Sequence, residues 1–157
     1  MKTIYLLAFF MLMNPLLAHS TDNDWRKTGS DKEKLNNVVK VIPSTADIMF
    51  QMGERYRNLY WAGKQGKWEF AQYQTEEMQS LIKELILTRP NRAATAQAFL
   101  LDAFKGFENA IEQKDWPKFQ NAFALMREQC MICHRQNEHA FIVLNKTPPK
   151  GNSPALD

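Results

Sequence analysis

Apolar side chains recur every three or four positions along most of the chain, which is the spacing of one face of an α-helix. This pattern falls into four segments that are separated by residues typical of helix ends. Ser44, with Asp47 three positions later, predicts the start of the first helix, and Gly63 is expected to end it. The second helix is predicted over residues 67–87, before Pro90.

Two further capping residues continue the series, since Asn91 is expected to cap a third helix and Asp115 a fourth. The apolar positions of the third helix are Phe99, Leu100, Ala103, Phe107, Ala110 and Ile111. Those of the fourth helix are Trp116, Phe119, Phe123, Met126, Cys130 and Cys133. Because no segment alternates apolar and polar residues as a strand does, the pattern predicts an all-α fold, an antiparallel four-helix bundle.

The first twenty residues have a different character. Residues 1–20 place one lysine before a short apolar run, and small residues suited to cleavage follow at Ala18 and Ser20. This composition is typical of a secretory signal peptide. A membrane span needs about 20 apolar residues, whereas this run is shorter and interrupted by Asn14 and Pro15. The sequence therefore predicts export, with no membrane span in the mature protein.

The mature chain is expected to have three parts. Residues 21–43 are polar and predict an extended or loosely docked arm, residues 44–144 form the helical domain, and residues 145–157 form an irregular tail rich in proline. The 157 residues carry a formal net charge of +3, which falls to +2 when the signal peptide is removed. Such a balance lacks the concentrated basic face that nucleic-acid binding usually demands.

Both cysteines of the chain and one of its three histidines stand within "CMICH", residues 130–134. The pattern C-x-x-C-H is the attachment signature of c-type haem, in which two thiols bond to the porphyrin and the imidazole coordinates iron. On one helix, Cys130, Cys133 and His134 can reach the same edge and face of a flat ring. The motif therefore predicts one covalent haem c, with His134 as the proximal ligand of iron.

The same residues have other possible uses. A structural zinc site would normally need four ligands, and the mature chain offers only Cys130, Cys133, His134 and His139, crowded into ten residues. A redox pair would be expected beside a βαβ pattern, and two buried structural cysteines would leave His134 unexplained. A non-haem metal-binding helical module is thus an alternative. No pair of ionisable groups indicates an enzyme.

The motif on the last helix resembles class II cytochromes c, the cytochrome c′ group, over residues 44–144. The stretches "DIMFQMGERYRNLYWAG", "KWEFAQYQTEEM" and "CMICHRQNEHAFIVLNKTPP" are also similar to a family of small exported bacterial monohaem proteins. The chain departs from typical cytochromes c′ at Asn137 and Glu138, where they have an aromatic and then a basic residue. The resemblance implies a periplasmic protein that exchanges electrons with another redox protein, and it allows a homodimer.

The resemblance also implies a methionine on the first helix as the distal iron ligand of low-spin members. Met49 is the first candidate because it lies in the shared "IM", and Met52 is the second. Either methionine could instead fill the core. A distal sulfur suits electron transfer, whereas an open distal position would bind nitric oxide or carbon monoxide, which is the alternative function.

Three further polar residues lie near these positions in the sequence. His139 is expected on the same helix as His134, at the surface. Arg55 and Arg57 are candidates to pair with a haem propionate, although a solvated helix face is the simpler expectation for both.

Overall fold

A computed structural model of the chain describes residues 24–151 and 153–157. The predicted signal peptide, residues 1–20, lies outside these residues. Over the described residues the secondary structure is helical and contains no β-strand, which confirms the all-α prediction. No helix in this part of the chain has the length and apolar character that crossing a bilayer requires.

The chain divides into two compact units between Val41 and Ile42. The first unit contains helices α1 (Trp25–Thr28) and α2 (Asp31–Val41). The second contains α3 (Thr45–Lys64), α4 (Trp68–Thr88), α5 (Ala93–Asp102), α6 (Phe107–Glu112) and α7 (Trp116–Gln136). Short 3₁₀ turns occur at Pro90–Arg92 and Pro154–Leu156.

Within the segment that the sequence predicts to be an extended or loosely docked arm, α1 and α2 are helical. Asp24 caps α1, since its side chain accepts a hydrogen bond from the backbone N–H of Arg26. The helix α2 carries Asp31 and Glu33 in its first turn and Lys40 in its last, which is the charge order that a helix dipole favours. No residue of either helix is buried. Because neither helix packs an apolar face into a core, the sequence lacks the apolar spacing by which a helix is usually predicted.

The start of α3 confirms the predicted cap, but its end does not match the prediction. The Asp47 N–H donates to Ser44 Oγ over 3.2 Å and the Ser44 N–H donates to Asp47 Oδ2 over 2.9 Å, which completes a capping box. The prediction that Gly63 ends the helix is wrong, because α3 continues to Lys64. The left-handed residue that follows the helix is Gly66, with φ of +70°.

The predicted third helix is two shorter helices. The helix α5 ends at Asp102, and Gly106, with φ of +88°, precedes α6. Asn91 does not cap this segment, because it lies inside the 3₁₀ turn and α5 begins at Ala93 without a side-chain cap. Asp115 does cap α7, since its Oδ1 accepts from the Lys118 N–H over 3.0 Å.

The core of the second unit lies between the inward faces of its helices. The helix α3 packs against α4 and α7, while α4 and α7 each pack against α5 and α6. Along α7 the side chains of Phe119, Phe123, Met126 and Cys130 are buried at the predicted helical spacing. This packing fixes the end of α7, and with it the C-x-x-C-H motif, next to α3.

Candidate functional site

The last two turns of α7 carry Cys130, Cys133 and His134. Their spacing keeps the three side chains on adjoining parts of one helical face. All three line the same cavity, which has a volume of about 180 Å³. The helix therefore brings two thiols and one imidazole to a single space.

The opposite walls of this cavity are apolar. They are formed by side chains of α3, α4 and α5 and by two residues that follow α7. The lining residues from these elements are Met49, Met52, Gly53, Tyr56, Met78, Ile82, Leu85, Ala96, Phe99, Ile142 and Leu144. Such a surface suits an apolar ligand that is held by a few polar groups.

Both candidate methionines of α3 line the cavity. Met52 is 7% exposed, and Met49 is half-buried. Met49 also lines a neighbouring cavity of about 60 Å³ together with Cys133 and His134. Met52 lines the larger cavity but not this smaller one. Met49 is thus on the wall of both spaces next to the imidazole.

Gly53 leaves room on the α3 side of the cavity. It stands one helical turn after Met49, and a Cβ atom built on it would have no neighbour within 4 Å. Any larger residue at this position would project a side chain into the open space. The absence of a side chain at Gly53 therefore leaves space for a bound group to approach the helix backbone.

The two thiols of the motif are free and differ in their surroundings. Burial raises the pKa of the Cys130 thiol to about 12. Burial also raises the pKa of Cys133, but hydrogen bonds from Thr95 and Asn137 and the charge of Arg92 oppose this effect. Both side chains are accordingly neutral thiols at neutral pH.

A polar cluster beside Cys133 is a feature that the sequence reasoning missed. Arg92 Nη1 donates to Asn137 Oδ1 over 3.0 Å, and Asn137 Nδ2 lies 2.9 Å from Thr95 Oγ1. The same amide nitrogen donates to the Cys133 carbonyl oxygen over 2.8 Å. No local pattern could have joined these residues, because Arg92 and Asn137 are 45 positions apart.

The imidazole of His134 is held by the chain that follows α7. Its Nδ1 atom lies 3.0 Å from the carbonyl oxygen of Ile142. Ile142 begins a non-helical segment, residues 142–151, that we call the strap. Tyr56 Oη donates to the Asn145 carbonyl over 2.7 Å and Trp61 Nε1 donates to the Pro148 carbonyl over 3.0 Å, so the strap is hydrogen-bonded to α3.

His139 does not lie where the sequence predicts it. The helix α7 ends at Gln136, so His139 is outside the helix rather than on it. The residue is half-buried, stacks on Phe141 at a centroid distance of 5.7 Å and lines the smaller cavity. His139, Met49 and His134 thus line the same small cavity.

The two arginines considered for a propionate are engaged elsewhere. Arg55 Nη2 lies 3.0 Å from Glu77 Oε2, and Arg57 pairs with Glu54 on its own helix. Neither residue lines either cavity beside His134.

Within residues 24–151 and 153–157, no three or more His, Cys, Asp and Glu side chains are grouped so that they could share one metal ion.

Comparison with known proteins returned no matching protein family, no matching curated protein and no matching solved structure.

Proposed function

We propose that the chain is an exported monohaem c-type cytochrome that transfers electrons in the periplasm. The observation that carries this proposal is that Cys130, Cys133 and His134 all line one apolar cavity. In this function the two cysteines hold the haem covalently and His134 coordinates its iron. When bound, the haem supplies the one-electron chemistry of iron, and another redox protein is the electron donor or acceptor.

The residues of the cavity fit a haem by their chemistry. Cys130 and Cys133 would hold the haem, each by adding its S–H across one vinyl group of the porphyrin, with sulfur on one vinyl carbon and hydrogen on the other. The apolar walls would exclude water from the ring. Two thiols are enough to attach the porphyrin, and one imidazole is enough to supply the proximal ligand of iron.

The size of the cavity implies some rearrangement. Its volume of about 180 Å³ is below the roughly 300 to 1,000 Å³ of ordinary ligand pockets. Lining side chains must therefore shift when the haem is attached. Ile142, which is 42% exposed, and Leu144 belong to the strap rather than to a helix and are the lining residues with the fewest helical constraints.

Met49 is the proposed distal ligand, and Met52 is the second candidate. Met49 is favoured because it lines both cavities that adjoin His134. Thioether ligation by Met49 would raise the reduction potential of the iron, which suits electron transfer.

We also propose that the second unit is an antiparallel four-helix bundle. Its four helical positions are α3, α4, the broken pair α5–α6 and α7. The packing of α3 on α4 and α7, and of α4 and α7 on α5 and α6, supports this arrangement. Such a bundle would hold its cofactor between facing helices.

A second candidate function is the binding of a small gas at an open distal position. The observation that favours it is the unfilled space at Gly53 on the α3 wall. If neither methionine coordinates iron, this space would admit carbon monoxide or nitric oxide.

An optical spectrum of the protein, matured with a cytochrome c assembly system, tests the proposal. A low-spin haem with a sulfur-to-iron charge-transfer band is the expected result. A high-spin haem that binds carbon monoxide readily would favour the gas-binding function instead. Failure of the assembly system to attach any haem would overturn both. Sequencing the N-terminus of the secreted protein tests export, with cleavage expected after Ala18 or Ser20.

A further inference from the structure

The contact between His134 and the strap fixes where the imidazole proton lies. The Ile142 carbonyl oxygen can only accept a hydrogen bond, so the Nδ1 atom 3.0 Å away must be the donor. The neutral ring is then the Nδ1–H tautomer, and its Nε2 atom carries a free lone pair. A histidine that binds a metal through Nε2 needs this tautomer.

The position of the Ile142 carbonyl depends on the residues that follow it. Leu144 is held by α7 at both of its backbone polar groups. Its carbonyl oxygen accepts from Arg127 Nε over 2.8 Å, and its N–H donates to Met131 Sδ over 3.4 Å. The stronger of these bonds is the charge-assisted one from Arg127.

Arg127, Met131 and His134 of α7, which hydrogen-bond to this part of the chain, form one row. Arg127, Met131 and His134 are separated by four and three positions, which places them on the same face of the helix. The strap follows that row, so its main chain meets the guanidinium at one end and the imidazole at the other. A displacement of Leu144 would be passed on to Ile142 through two peptide units.

We infer that Arg127 is a positioning residue for His134. By holding the Leu144 carbonyl, it keeps the Ile142 carbonyl against Nδ1, and this contact selects the Nδ1–H tautomer. The consequence for iron rests on the proposed function. There, the hydrogen bond would make the imidazole a more basic ligand, stabilise oxidised iron and lower the reduction potential.

The inference is tested first without any haem. In the isotope-labelled mature chain, long-range proton–nitrogen correlation NMR reads the tautomer of His134 at a pH about two units above the ordinary imidazole range. The wild type is expected to be the Nδ1–H form. Arg127→Met keeps an apolar stem but removes the donor, and should give a mixture in which the Nε2–H form is prominent.

Two further variants keep the test decisive. Trp61→Phe removes a similar hydrogen bond to the strap, at Pro148, and should leave the tautomer unchanged. Arg127→Lys retains a charged donor and should give a smaller change than Arg127→Met. If Arg127→Met does not fold, Arg127→Lys is compared with Trp61→Phe in the same way. A tautomer unaffected by either Arg127 variant, or shifted equally by Trp61→Phe, would overturn the inference.

The haem-loaded protein gives a second readout. Its reduction potential should rise in Arg127→Met and stay unchanged in Trp61→Phe, and equal potentials in all three proteins would contradict the role of Arg127. Should no haem attach to any variant while Arg127→Met still shifts the tautomer, the positioning role stands and the proposed cytochrome function falls.

Discussion

The ring of Phe119 on α7 lies against the α-carbon of Gly63 on α3, in the space that a side chain would occupy at any other residue. A Cβ atom built on Gly63 would lie 2.6 Å from Phe119 Cδ1 and 2.7 Å from Cζ, which no relaxed structure tolerates. Phe119 cannot move away easily, since it is fully buried and packs edge-on against Phe107 with ring centroids 5.0 Å apart. The close approach of α3 and α7 thus depends on Gly63.

Gly63→Ala should lower the free energy of unfolding by about 1 to 3 kcal/mol, because overpacking outweighs the better helix propensity of alanine. Urea denaturation followed by far-UV circular dichroism measures the change. Gly53→Ala is the matched control in α3, where the new methyl group meets open space, and without haem it should raise stability by up to about 1 kcal/mol. Equal effects of the two substitutions would show that the helix contact is unimportant.

Met49→Leu should abolish the sulfur-to-iron charge-transfer band of the oxidised haem protein, lower its reduction potential and open the iron to carbon monoxide. The physical reason is that sulfur ligation favours reduced iron and occupies the sixth position. Since leucine has a similar volume, the substitution should cost below about 1.5 kcal/mol of stability.

Met52→Leu is the control for Met49→Leu, because Met52 lines the same cavity from the same helix. It should leave the spectrum unchanged. If only Met52→Leu removed the band, the distal ligand would move by one helical turn while electron transfer stayed the proposed function.

Without haem, the protein should lose stability as the pH rises from about 9 towards 12. The Cys130 thiol has a pKa of about 12 in the folded chain, against an ordinary value of 9.0. Between these values the unfolded chain releases the thiol proton and the folded chain keeps it. Because the unfolded state then binds fewer protons, the free energy of unfolding falls as the pH rises. The slope is at most roughly 1.4 kcal/mol per pH unit for this thiol.

Two variants separate the contributions of Cys130 and Tyr56 to this pH dependence. Cys130→Ala should flatten the fall in stability, whatever its effect at neutral pH. Tyr56→Phe is the necessary comparison, because burial also raises the pKa of the Tyr56 hydroxyl. In the haem protein the thioether sulfur has no proton to lose, so the contribution of Cys130 should disappear. An unchanged slope in Cys130→Ala would refute the assignment.

Helix starts were predictable from the sequence where the capping contacts are local. Ser44 bonds to Asp47, and Asp115 to Lys118, each across three positions, so both signals could be read from neighbouring residues. The break before α6 was not predictable, because the apolar spacing continues through it. Only the backbone shows that Gly106 adopts a left-handed conformation there.

The irregular backbone of residues 145–151 was predicted from the proline-rich tail, but the contacts of the strap with α3 were not, because they are distant in sequence and involve backbone atoms. Tyr56 and Asn145 are 89 positions apart, and the acceptor is a main-chain carbonyl that carries no sequence signal. His134 and Ile142 are only eight positions apart, but here too the partner is a main-chain carbonyl that carries no sequence signal. The motif predicts Cys130, Cys133 and His134 from the sequence. The Ile142 carbonyl that orients the imidazole can be identified only in the folded structure.

The most direct test of the account is the intact mass of the acid-denatured protein after maturation with a cytochrome c assembly system. The account predicts the mass of the mature chain plus one haem, and a Cys130→Ala, Cys133→Ala double variant should have the mass of the chain alone. A wild-type protein with the mass of the unmodified chain, whose haem passes completely into acidified organic solvent, would contradict covalent attachment.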